Sequence, residues 1–232
     1  NRQRVGCGVG DIAICFYWSG VGLYLLYFYT DIVGISPYLA GWIYALGIAW
    51  DAVTDPFMGY LAERTSSPRG RYRPYILFGT IPLALSFVLL FWVPPLEGIS
   101  LFLCLVVINV FHRTCFTIVS VPYSSLTPRI TSDSEERTKL TTARMIGASF
   151  GTLLMSSLGF PIINFFGQND ESLGIIYLSF ISASIAVVIL YFTYWSVKES
   201  STEEIKETYP SVSKLISSIL INYPFWIVFS SI

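Results

Sequence analysis

The sequence predicts an all-α membrane protein: one N-terminal bundle of six membrane-crossing helices, followed by the start of a seventh. Three observations carry that expectation. The 232 residues are 53% hydrophobic and only 12% charged, about half the charge of a soluble domain, and the mean hydropathy is +0.62. The apolar residues gather in six long runs, at about 6–30, 38–62, 74–94, 99–126, 140–166 and 173–195, and about 20 helical residues cross a ~30 Å hydrocarbon core. The positive charges, finally, fall on one side of the resulting topology. Transmembrane strands would be ~10-residue alternating segments, and these runs are too long and too uniform for that. The composition excludes a disordered tail, a nucleic-acid binder and most soluble enzymes. With a net charge of −1, bulk charge names no partner.

The first run is too long for a cleavable signal peptide and is interrupted by Asp11. Arg2 and Arg4 precede it. Arg64, Arg69, Arg71 and Arg73 separate runs two and three in a short loop, 63–74, broken by Pro68 and Gly70. Arg129, Arg137 and Lys139 separate runs four and five. In that loop, 127–139, Ser132-Asp133-Ser134-Glu135 reads as a capping box that starts the fifth helix. Lys198, Lys206 and Lys214 follow run six. Of the 14 Lys and Arg, only Arg113 and Arg144 fall inside runs, and the opposite loops (about 31–37, 94–99 and 167–172) carry none. The positive-inside rule places the N-terminus and the basic segments in the cytoplasm.

Residues 1–195 thus form the bundle. Residues 196–222 read as a cytoplasmic linker, with 214–222 along the membrane surface, and 223–232 as the start of helix seven. The chain begins with Asn1 and its seventh run stops at Ile232, so the expectation is a part of a longer protein. Six helices divide into two inverted triplets, although no residue-level repeat marks them. Small residues four apart, Gly41/Ala45/Ala49 and Gly147/Gly151, are expected at close helix contacts.

Several chemistries are absent. Cys7, Cys15, Cys104 and Cys115 lie in apolar runs without C-x-x-C spacing, which favours plain packing. Gly6, Gly8 and Gly10 follow no strand and form no dinucleotide fingerprint. His112 is the only histidine, which excludes a multi-histidine metal site. No enzymatic activity is expected, and no cofactor.

The informative residues are the charges inside the bilayer. Asp51 and Asp55, one turn apart, share a face of helix two. Counted back from Arg64 they lie ~20 Å and ~13 Å deep. An aspartate near the bilayer centre costs roughly 2.5–3.5 kcal/mol on insertion scales, and two on one face also repel. Such a pair needs an arginine, a shared proton or a bound cation. Pro56 lacks an N–H, so the Ala52 carbonyl loses its helical partner one turn away, an oxygen of the kind hard cations take. Thr117, ~18 Å deep in helix four, offers a hydroxyl between the levels of the two aspartates. Nearer the basic side, Asp11 lies ~10 Å beyond Arg4 and Arg144 ~8 Å beyond Lys139. Similar depth and opposite sign lead to the expectation that both face one aqueous cavity, where a planar guanidinium and a carboxylate suit a hydroxyl-rich ligand. The alternative for Arg144 is snorkelling to the headgroups. The runs hold three acids (Asp11, Asp51, Asp55) and two fixed bases (Arg113, Arg144). One negative charge is left over, matching one monovalent cation or one proton. Arg113, one turn before Thr117, decides how it is shared. Pointed at Asp51, it leaves Asp55 as the strong anion; pointed away, it leaves both acids available.

The string Trp50-Asp51-Ala52-Val53-Thr54-Asp55-Pro56-Phe57-Met58-Gly59, followed by Arg64 and Gly70-Arg71-Tyr72-Arg73-Pro74, resembles helix two and its loop in the glycoside–pentoside–hexuronide:cation symporters, the melibiose-permease-like branch of the major facilitator superfamily. Val121-Pro122-Tyr123-Ser124-Ser125-Leu126, Asp133-x-Glu135-x-Arg137 and Tyr29-Thr30-Asp31-Ile32-Val33-Gly34 are similar to further segments of that family. The resemblance covers essentially the whole chain as the family's N-terminal six-helix bundle. It implies a cation-coupled symporter, driven by sodium or protons and carrying a sugar or glycoside by alternating access. Asp51, Asp55 and Thr117, with the Ala52 carbonyl, would bind the cation, and Asp11 and Arg144 would bind the sugar. Ser120 stands where the melibiose-permease pattern has a sugar-binding aspartate, and Ser124 where it has a tryptophan. His112 and Arg113 depart from the same pattern. Arg64, Arg71 and Arg73 would help close the cytoplasmic side. The expected partners are a small-molecule substrate, membrane lipid and the C-terminal half of the same protein, with no nucleic acid. The alternatives are a lysolipid symporter of the same branch, or a non-transporting membrane scaffold or half-protein.

Overall fold

A computed structural model describes residues 2–130, 133–168, 170–197 and 199. The expected linker, apart from its first residues, and the start of helix seven lie outside the described residues. So do Lys198, Lys206 and Lys214.

Among the described residues six α-helices follow in order: α1 (Arg2–Tyr27), α2 (Pro37–Arg64), α3 (Arg73–Leu90), α4 (Gly98–Ile130), α5 (Ser134–Gly167) and α6 (Glu171–Ser196). A π-helical turn over Phe28–Ile32 prolongs α1. Local chemistry sets most of the ends. Ser36 caps α2 by accepting the Leu39 N–H at 3.4 Å, with Pro37 in the first turn. Gly34, at φ +79°, turns the chain just before it. Helix α3 ends at Leu90, four residues short of the predicted end, because Pro94 and Pro95 follow. Asp170 caps α6, accepting the Ser172 and Leu173 N–H groups at 2.9 and 3.3 Å.

The basic segment expected as a loop over 127–139 is helical over most of its length. Helix α4 runs on to Ile130 and α5 begins at Ser134. The α5 cap is Asp133, whose carboxylate accepts the Glu135 N–H at 3.1 Å, one residue later than the capping box predicted. Glu135 and Glu136 lie in the first turn, where carboxylates complement the helix dipole.

Among the described residues, five helices, counting α1 with its π turn, are long and apolar enough to cross a membrane. Helix α2 is not one of them although its 28 residues would reach ~42 Å, because Asp51, Asp55 and other polar residues lower its hydropathy. The sixth span expected from the sequence is therefore long enough but not apolar enough. The chain is an integral, multi-pass membrane segment.

Helix α1 packs on α5 and α6, α4 packs on α2 and α3, and α3 packs on α6. Exchanging α1 with α4, α2 with α5 and α3 with α6 maps these contacts onto themselves, which is the signature of a repeat of two helix triplets. The α5–α6 contact has no equally extensive α2–α3 counterpart. The core is aromatic. Tyr17 and Phe87 meet edge to face at 5.0 Å, Phe87 and Phe91 at 5.4 Å, and Phe28 and Phe91 at 5.5 Å.

The closest helix contact lies between α1 and α5. A Cβ placed on Gly147 would sit 1.8 Å from the Gly8 carbonyl oxygen, and one on Gly151 would sit 2.8 Å from that of Ile12. The expected Gly147/Gly151 contact is therefore present. The Gly41/Ala45/Ala49 stripe is not a contact within the bundle: all three residues are exposed and Gly41 has open space beside it. The α2–α4 approach uses Gly47 instead, where a Cβ would lie 3.0 Å from Asn109 Oδ1. Sequence spacing shows that small residues share a face but not which face turns inward. Replacing Gly147 by Ala should push α1 off α5 and destabilise the full-length protein by about 1–3 kcal/mol, the range for overpacking. A melting temperature in detergent equal to wild type would contradict the contact.

Candidate functional site: two charged centres on one helix

Helices α2 and α4 run side by side, and polar side chains bridge them at nearly constant spacing. Asn109 Nδ2 donates to the Ile43 carbonyl at 3.1 Å. Arg113 Nη1 donates to Asp51 Oδ2. Trp50 Nε1 donates to Thr114 Oγ1 at 2.9 Å, and Thr117 Oγ1 to Asp55 Oδ1 at 2.7 Å. Asn109, Arg113 and Thr117 follow at four-residue steps on α4, and Asp51 and Asp55 stand one turn apart on α2, so these bonds line up as a ladder. Arg113, His112, Asn109 and Thr117 are buried, Asp51 is half-buried, and Ala52 and Asp55 are exposed. Three buried atoms of the ladder lack a hydrogen-bond partner: Asp51 Oδ1, Asn109 Oδ1 and Arg113 Nε. Thr117 spends its hydroxyl on Asp55 rather than on its own backbone. Pro56 lies inside α2, so the Ala52 carbonyl lacks its usual donor one turn from Asp51 and Asp55.

The second centre joins α1, α4 and α5. Arg144 grips Asp11 with two nitrogens, Nε to Oδ2 at 2.7 Å and Nη2 to Oδ1 at 3.3 Å, a bidentate, charge-assisted pair. Its third nitrogen donates to Thr127 Oγ1 at 2.9 Å. The Tyr123 hydroxyl contacts Asp11 Oδ2 at 2.8 Å and also the Cys7 carbonyl. The guanidinium lies 4.9 Å from the Tyr123 ring centroid. Asp11 is 7% exposed. The sequence placed Asp11 and Arg144 together; it missed Tyr123 and Thr127, although the i, i+4 spacing of these two on α4 was there to be read.

Ser120 and Ser124 belong to the same stretch of α4, Ser120 half-buried and Ser124 exposed. Neither bonds Asp11 or Arg144. By helical phase, Ser120 lies about 60° around α4 from Thr117, and Tyr123 about 60° further. Helix α4 therefore turns Thr117 toward α2 and Tyr123 toward α1, ~9 Å apart along its axis, with Ser120 between them and Ser124 just beyond Tyr123. His112 sits behind the ladder, its Nδ1 3.1 Å from Ser86 Oγ. An apolar groove of about 510 Å³ runs between α3 and α6, flanked by Trp92 and Phe180. It holds none of these charges.

The basic loop 65–72 is fastened from below. The Glu199 carboxylate accepts three consecutive backbone N–H groups, from Arg71, Tyr72 and Arg73, at 2.7, 2.8 and 3.0 Å. This is an anion seat at the start of α3. Gly70, at φ +105°, lets the carboxylate approach, since a Cβ there would lie 2.7 Å from Glu199 Oε1. Arg73 Nη2 donates to the Tyr194 carbonyl at 2.8 Å and its guanidinium covers the Tyr194 ring. Arg64 lies 4.1 Å over the Tyr60 ring. Nearby, Arg4 pairs with Glu136 and so ties α1 to the start of α5.

The model of the MFS/sugar transport protein family matches residues 6–232, and the chain belongs to that family of transporters. It is 33% identical over 221 residues to a protein of Escherichia coli (strain K12) provisionally named the glycoside/cation symporter YagG, covering 95% of this chain and 48% of that protein. It is 29% identical over 237 residues to the isoprimeverose transporter of Lactiplantibacillus pentosus, covering 97% and 50%. It is also 29% identical over 229 residues to the glucuronide carrier protein homolog of Escherichia coli (strain K12), covering 98% and 50%. The chain thus spans about half the length of the curated relatives it matches.

Glu199→Gln should weaken the seat at the start of α3. Hydrogen exchange at the Arg71, Tyr72 and Arg73 amides should quicken about tenfold, the equivalent of roughly 1.4 kcal/mol for a charge-assisted contact. Unchanged protection of these three amides would show that the carboxylate does not hold them.

Proposed function

We propose that this chain is the N-terminal half of a cation-coupled symporter that carries a sugar or glycoside by alternating access. The observation that carries the reading is the pair of separate charged centres on α4. One, built from Asp51, Asp55, Thr117 and the Ala52 carbonyl, offers the oxygen atoms a sodium ion or a proton requires. The other, Asp11 with Arg144, offers an acceptor and a donor fork to sugar hydroxyls, with Ser120 and Ser124 beside it. The isoprimeverose transporter and the glucuronide carrier protein homolog among the relatives support a glycoside. A lysolipid substrate gains no support from those names, and a mere scaffold would have no use for Asp55, a mid-helix carboxylate without a basic partner among the described residues.

Coupling follows from the shared helix. A cation bound near Asp55 and Thr117 fixes the rotation of α4, which presents Tyr123 to Asp11. A sugar bound at Asp11 and Arg144 fixes the same helix from the other side. Each ligand then raises the affinity for the other by the same factor. The bundle would rock against the C-terminal half, with Arg64, Arg71 and Arg73 on the side that the positive-inside rule assigns to the cytoplasm. The N-terminus would lie on that side too. The charge count supports one cation per substrate.

In vesicles of the full-length protein, Asp51→Asn and Asp55→Asn should each abolish gradient-driven glycoside accumulation while leaving membrane insertion intact. Accumulation at the wild-type level in both variants would sink the cation site. For the substrate, cysteines placed at positions 120 and 124, beside the intact Asp11–Arg144 pair, should be shielded from thiol reagents by isoprimeverose or a glucuronide and not by a lysophospholipid. The opposite pattern would favour the lipid.

A further inference from the structure

We infer that Arg113 is a built-in cation at Asp51, so that the transported cation is held at Asp55 and Thr117 and Asp51 makes no direct bond to it. The inference rests on the symport reading above and narrows it to one carboxylate.

Three observations carry it. Arg113 is 4% exposed and donates to Asp51 Oδ2, so a fixed positive charge already faces one of the two acids. The seat is shaped for that guanidinium. Gly47 opposite has no side chain, and a Cβ there would lie 3.1 Å from Arg113 Nε. The Tyr44 ring is 5.3 Å from the guanidinium carbon on another side. The remaining charges are also matched. Asp11 is bound to Arg144, which leaves Asp55 as the one carboxylate in the middle of the described helices without a basic partner. Asp55 holds only the Thr117 hydroxyl and is exposed on this bundle, so its second carboxylate oxygen is open to an ion. The pair Asp51–Arg113 has no net charge, and its work is to keep a second cation out.

The pairing makes the Asp51 single variant misleading. Asp51→Asn leaves Arg113 buried without a counter-charge, one turn from Asp55. The guanidinium then turns to Asp55 and blocks the ion there, so coupling fails although Asp51 never touched the ion. Removing both charges together avoids this.

The test uses purified full-length protein, radioactive sodium binding, and glycoside uptake in proteoliposomes under sodium and proton gradients. Asp51→Asn alone should lose gradient-driven uptake, and Asp51→Asn with Arg113→Gln should recover it to within about threefold of wild type. Arg113→Gln alone should bind sodium at least about tenfold more tightly, because a positive charge about one helical turn from the ion is gone. Arg113→Lys should keep the wild-type affinity. A double variant that inserts normally yet stays as inactive as Asp51→Asn would overturn the inference, since Asp51 would then be a direct ligand. Sodium affinity unchanged in Arg113→Gln would overturn it as well. If Arg113→Gln alone fails to fold, the double variant, which leaves no unmatched buried charge, still decides the matter. Wild-type protein that accumulates no glycoside under either gradient would refute the symport reading instead, and the sodium measurements would judge Arg113 separately.

Discussion

A charge buried in the middle of a bilayer has to be matched by another, and that requirement determines how this bundle is assembled. Each match is made between helices. Asp51 on α2 meets Arg113 on α4, and Asp11 on α1 meets Arg144 on α5. Leaving one such partner alone is severe, because a buried ion without its counter-charge loses hydration and receives nothing in return. The pairs therefore fix which helices are neighbours more firmly than apolar packing does in lipid, where the surroundings are as apolar as the core. Apolar residues then fill in around them.

Helix α4 is where these constraints converge. It contributes Arg113 and Thr117 toward α2, and Tyr123 and Thr127 toward α1 and α5. It has little backbone contact with α1 and reaches it through side chains alone, Tyr123 to Asp11 and Trp18 against Phe116 at 6.0 Å. The α1–α5 seam is the opposite case. Gly8 and Gly147 bring two backbones together, which leaves no slack for sliding. The bundle thus combines a stiff pair, α1 with α5, and an α4 joined to it by bonds that can be remade.

Much of this was legible in the residues. Run lengths gave every helix to within a few residues except at α3, where the two prolines shorten it, and between α4 and α5, where polar composition disguised helix as loop. Helical pitch alone put Thr117 between the levels of Asp51 and Asp55, and Asp11 and Arg144 at similar depth nearer the basic side. Pitch gives depth but not azimuth, which is why the Gly41/Ala45/Ala49 stripe was assigned to a contact that Gly47 makes. The direction of Arg113 was open for the same reason. Glu199 carried no signal: a lone glutamate after a helix becomes meaningful only once three amide groups converge on it. Tyr123 looked like an ordinary aromatic of an apolar run, because a hydroxyl's partner is invisible without the fold.

The Glu199 seat has a mechanical consequence. The polypeptide leaving α6 does not depart from the end of that helix but is moored first to the beginning of α3. Any tug on the downstream chain is therefore delivered to α3 and the basic loop before it, across a lever of three residues, and reaches α6 only after the mooring gives way.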